Sequence, residues 1–152
     1  MEELQRLLID NGINSIQAAM RNKELAKLGD PLTNLLHSLA QSLVTNRFGG
    51  KKVSGKTLAT ALRLADLRRL APPRLDAHGL ADSVEAIIAY AWICGMLKIP
   101  ETAEMLSKEF QRAIKNSEKT RQAQTKAVAT AFSVLLRDLW EKEQAGNTQG
   151  SQ

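Results

Sequence analysis

The chain has 152 residues and a formal net charge of +5, with a pI near 9.6; that is long enough for one domain with a sizeable core. The basic surplus favours polyanionic partners without specifying a fold, and a single cysteine, Cys94, excludes an intrachain disulfide or a cysteine-based zinc site. The opening Met1-Glu2-Glu3 has no basic n-region or long apolar stretch behind it, which argues against export and for the cytoplasm.

In chain order, Leu4, Leu7 and Leu8 make one apolar helical face, which Asn11-Gly12 terminates. Ile13 and Ile16 open a second short helical segment running into Ala18-Ala19-Met20. Leu25, Leu28, Leu32, Leu35, Leu36, Leu39 and Leu43 then keep helical spacing. Gly29-Asp30-Pro31 interrupts this run: Asp30 either caps a new helix with Pro31 in its first turn, or lies in a continuous helix that Pro31 kinks. The unbroken leucine phase favours the continuous helix.

Thr45 to Val53 reads as a basic, glycine-containing loop, and Ser54 as the cap of a helix reaching about Leu70, closed by Pro72-Pro73. Its inward face is Leu58, Ala61, Leu62 and Ala65. Next comes the stretch around which the chain is organised, Leu80 to Leu97, uncharged from Ala86 onward. Too short to span a bilayer and apolar on all sides, it predicts a buried central helix with Cys94 as a small buried hydrophobe. A helix from Pro100 to about Lys115 follows, with a break near Asn116-Ser117. The last helix buries Val128, Ala131, Phe132, Leu135, Leu136 and Leu139. Residues 1–143 form one domain, and the polar segment 144–152 reads as a disordered tail. With no period-two segment, the fold class is all-α.

Two motifs concern chemistry. Gly50 to Thr57 matches the phosphate-binding pattern GxxxxGK[ST] letter for letter. That pattern works between a buried parallel strand and a helix, whereas the residues before it have helical periodicity. A basic loop followed by a serine cap therefore explains it better than a nucleoside triphosphate site. Asp82-Ser83-Val84-Glu85, at the polar entrance of the apolar helix, fits a capping box. Its two acids, three residues apart, also share a helix face, as a catalytic or metal-binding pair requires; taken alone, the residues favour the cap.

Taken together, Leu28-Gly29-Asp30 ahead of a leucine-rich helix and Ala81-Asp82-Ser83-Val84-Glu85-Ala86 heading an apolar helix resemble the ribonuclease III family. The similarity is closest to its stand-alone catalytic type, the mini ribonucleases III, which lack a double-stranded-RNA-binding domain. It implies a ribonuclease III-like helical domain in a two-fold dimer. It implies Asp30, Asp82 and Glu85 as catalytic and metal-binding carboxylates, with magnesium, or manganese as its substitute, hydrolysing phosphodiester bonds in double-stranded or structured RNA. Where the family's signature carries a glutamate, four residues before the aspartate, this chain has Ala26; the usually aromatic position three residues before the aspartate is Lys27. Glu24, six residues before Asp30, is the substitute candidate metal ligand, on a poorly matched helix face.

Phosphate contacts need positive charge without base reading, which nominates Arg47, Lys51, Lys52 and Lys56 in the loop region and Arg112, Lys115 and Lys119 at helical spacing, continued by Lys126. Asn34 and His37 lie near the face of Asp30 and read first as polar packing. Three functions follow: a magnesium-dependent endoribonuclease, a catalytically impaired RNA-binding or ribosome-associated module favoured by Ala26, and a helical interaction protein in which the acids are caps.

Overall fold

In a computed structural model of the chain, residues 1–114 and 119–150 are described. Among them lie seven α-helices, one short 3-10 turn and no strand: α1 Glu2–Asp10, α2 Ile16–Ala19, α3 Lys23–Thr45, α4 Gly55–Leu64, the turn Arg68–Leu70, α5 Ala77–Ile93, α6 Ile99–Ile114 and α7 Arg121–Gly150. The all-α class expected from periodicity is the class found.

The helix α5 is the hub. It packs most extensively on α3 and α4, and α1, α2 and α7 also reach it, while α6 bridges α3 and α7. Leu80, Val84, Ala86, Ile87, Ile88, Ala89 and Ala91 of α5 are fully buried, as a helix apolar on all sides must be. The helix ends at Ile93, however, and Gly95 follows at φ +80°, a conformation glycine adopts without strain. Cys94 is consequently exposed at the turn rather than buried. Trp92 and Met96 are only partly buried against the core.

The helix α3 runs unbroken through Pro31, capped by Asn22, whose side chain accepts from the Leu25 amide. Its leucines do not form one inward face. Leu25, Leu32 and Leu36 enter the core, whereas Leu28, Leu35 and Leu43 are exposed. Two apolar stripes on one helix have the same periodicity, so spacing alone cannot separate them.

Ser54 caps α4 as expected, accepting from the Thr57 amide, and Leu58, Ala61, Leu62 and Ala65 are buried. The helix stops at Leu64 rather than near Leu70. Asp66 adopts a left-handed conformation, the Ala65 carbonyl takes a hydrogen bond from Arg137 of α7 at 3.1 Å, and the turn buries Leu67. Residues 34–45, ahead of the GxxxxGK[ST] pattern, are helix and not strand, so the pattern lacks the strand that would aim its amides.

The buried face of α7 includes Ala131, Phe132, Leu135, Leu136 and Leu139, with Val128 partly buried against the core. The helix continues through the segment from Gln144 that composition reads as a disordered tail. Residues 144–148 are exposed on every side, so local bonding alone carries that extension. The expected break at Asn116-Ser117 and the residue Lys115 lie outside the described residues. No described helix is long and apolar enough to cross a membrane.

A candidate carboxylate site between two helices

The position of α5's first residue decides how its acids are read. Asp76 is the N-cap, accepting from the Gly79 amide at 2.9 Å, so the helix starts at Ala77. Asp82 and Glu85 therefore lie inside the helix, where the amides are already bonded to carbonyls four residues back, and a capping role for either is excluded. Asp30 is likewise inside α3 and caps nothing.

Asp30 and Glu85 meet because Gly29 has no side chain. A Cβ built at Gly29 would overlap the backbone carbonyl of Glu85. The two helices thus cross with backbone against backbone, and the residue after Gly29 stands beside Glu85. Ser83 fixes the crossing from the other side, donating from Oγ to the Met20 carbonyl at 3.1 Å just ahead of α3.

Asp30, Asp82 and Glu85 line one cavity of about 400 Å³ together with Lys23, Ala26, Lys27, Lys52 and His78. Glu85 is 8% exposed. Burial, a hydrogen bond with the Asp30 side chain, and the charges of Asp30 and then Asp82 push its carboxyl up to about 8, against a smaller opposing pull from Lys52. Below that pH the Glu85 carboxyl keeps its proton. Asp30 also accepts from Asn34 Nδ2 at 3.1 Å.

The three acids line one pocket, yet among the described residues no group of three or more His, Cys, Asp or Glu side chains is gathered closely enough to hold a metal ion. Asp30 and Glu85 are paired, and Asp82 lies one helical turn from Glu85. Glu24 is not at the site: it is ion-paired to Lys27 at 3.1 Å and lines a different cavity beside Leu4 and Leu28. Its poor facial match to Asp30 persists because α3 stays a regular helix through Pro31.

Of the expected RNA-contacting residues, Lys52 lines the acid pocket; Arg47, Lys51, Lys56, Arg112 and Lys119 are exposed away from its lining, and Arg112 is paired with Glu109 at 2.9 Å. Lys23 and His78 were not singled out from sequence, and Lys27 only as a departure from the family signature, although a signal existed. Lys23 and Lys27 precede Asp30 by seven and three residues, and His78 precedes Asp82 by four, all helical same-face intervals. His37 is buried, tilted against Phe132, and its imidazole is pushed down to about 4 by desolvation and by Lys51, which fits polar packing.

The site is thus a mixed carboxylate and lysine pocket at a glycine-mediated helix crossing of an all-α domain. A family model described as Ribonuclease III matches residues 23–144, and the chain belongs to the ribonuclease III family. That membership carries a ribonuclease-type function, in a family whose members generally depend on divalent metal. A comparison with curated proteins returns no match.

Proposed function

We propose that the chain is a magnesium-dependent endoribonuclease that hydrolyses phosphodiester bonds in double-stranded or structured RNA, working in the cytoplasm as a homodimer. The observation that carries this reading is the acid pocket: three carboxylates without a capping role, faced by lysines, in a chain of this family. The donor set suits magnesium or manganese, which take carboxylate oxygens and retain waters and substrate phosphate in their shells. Asp30 and Glu85 are the pair that would hold the cation, with Asp82 beside them. When bound, the ion lowers the pKa of water and offsets charge developing on the phosphodiester.

The chain's own residues do the rest. Glu85 keeps its proton up to about pH 8, so its carboxyl would have to give up that proton to serve as a ligand. Lys23, Lys27 and Lys52 bring positive charge to the same pocket and draw in the phosphate backbone, the feature by which duplex RNA is chiefly recognised. Dimerisation is supported by Leu28, Leu35 and Leu43, 44%, 45% and 53% exposed along one side of α3. From first to last they cover about 22 Å at the helical rise, an apolar stripe suited to pairing with its own copy across a two-fold axis.

A second reading follows from Ala26. It lines the pocket where the family resemblance places a glutamate, which favours a module that binds RNA without cutting it. One experiment separates the two: duplex RNA is incubated with the wild type, Asp82→Asn and Asp30→Asn, with magnesium and with chelator. Magnesium-dependent cleavage lost in both variants, with binding retained, supports the enzyme. Binding without cleavage by the wild type supports the module, and wild-type rates in both variants refute the assigned site.

A further inference from the structure

The loop that carries Lys52 is laced to α3 in a fixed register. Ser42 Oγ accepts from the Gly49 amide at 3.2 Å. Ser38 Oγ accepts from the Lys51 amide at 2.8 Å and donates to the Lys51 carbonyl at 3.1 Å. Asn34 Oδ1 accepts from the Val53 amide at 2.9 Å, while its Nδ2 donates to Asp30 at 3.1 Å. The partners fall at every second loop residue and every fourth helix residue. Four residues of α-helix rise about 6 Å and two residues of near-extended chain cover about 6.5 Å, so the two periods match and the rungs stay aligned.

The ladder ends on the acid pocket, because its last helix rung, Asn34, is bonded to Asp30. Val53 is buried at the same end, and Lys52, between the Lys51 and Val53 rungs, lines the pocket with Glu85 and Asp30. Asn34 is the sole residue of the ladder that touches both the loop and a carboxylate.

We infer that residues 49–53 are a preorganised phosphate-holding arm of the carboxylate pocket, in which Lys52 meets the RNA phosphate and Ser38 and Asn34 act as positioning residues. The inference rests on the RNA reading given above. A lysine on a free loop must be ordered when the ligand arrives, and that ordering weakens binding; here the backbone on both sides of Lys52 is held beforehand.

The test uses the full-length chain and a short RNA duplex in chelator, so that binding is read without turnover, alongside amide hydrogen exchange. Ser38→Ala touches neither a carboxylate nor the core. It is expected to speed exchange at Lys51 and Val53 by about tenfold as the local opening becomes easier, and to weaken duplex binding about threefold through the restored ordering cost. Lys52→Ala is expected to weaken binding by about three- to tenfold. The double variant Ser38→Ala with Lys52→Ala is then expected to bind as Lys52→Ala alone does, because the ladder acts through that lysine. Asn34→Ala combined with Lys52→Ala repeats the cycle from the other rung. Unchanged exchange at Lys51 and Val53, or additive losses in both cycles, overturns the ladder while the RNA reading stands. A wild-type chain that does not bind the duplex overturns the RNA reading, and the role of Lys52 with it.

Discussion

Replacing Glu85 with glutamine tests whether the acid pocket is an electrostatic strain point. In the folded chain the Glu85 carboxyl is raised from 4.5 to about 8 by burial and by Asp30 and Asp82. Between those values the native state holds a proton that the unfolded chain has released, so stability falls as pH rises through this window. The full linkage is about 1.4 kcal/mol for each pH unit. The pocket is open to water on one side, which halves this at the least, leaving a loss of about 2 kcal/mol between pH 5 and pH 8. For a domain of this size that is a drop of about 4–8 °C in Tm. Glutamine keeps the shape and can donate to Asp30 without a proton to lose. Thermal melts in metal-free buffer across pH 5 to 9 should therefore show a wild-type decline that flattens in Glu85→Gln, with the variant the more stable at pH 9. Added magnesium should raise the wild-type Tm at pH 8 by more than that of the variant, since a ligand stabilises the state that binds it. Parallel curves for the two proteins across the whole range would refute the raised Glu85 carboxyl and, with it, the burial and the close acid pair that cause it.

Gly29→Ala should be far more damaging than its size suggests: the new Cβ overlaps the Glu85 carbonyl, and neither backbone can yield without separating α3 from α5. We expect a loss of at least about 3 kcal/mol, or failure to fold, and a urea midpoint within error of wild type would contradict the helix crossing. Leu35→Glu combined with Leu43→Glu changes two exposed side chains and should leave the Tm within a few degrees while converting the protein to a monomer by light scattering. A double variant that stays dimeric would place the interface elsewhere.

Much of this was already written in local spacing. The leucine phase carries α3 through Pro31, the Ser54 cap starts α4, and the unrelieved apolar run from Ala86 marks the buried helix, because each depends on contacts within a few residues. The shared face of Asp82 and Glu85 follows from their three-residue separation for the same reason. Local spacing put the capping box at Asp82, whereas the helix starts about one and a half turns earlier, behind the Asp76 cap. It also could not tell leucines facing the core from those left on the surface, or see that Cys94 falls just past the helix end. Only the tertiary structure decides that Glu85 is buried against Asp30, that Glu24 points to another cavity, and that Lys23, Lys27 and Lys52 share the acid pocket. Those facts depend on where α3 crosses α5 and on how the loop is laced back along α3. The crossing turns on the missing side chain of Gly29 and a carbonyl 56 residues later in the chain, a separation over which no periodicity carries information.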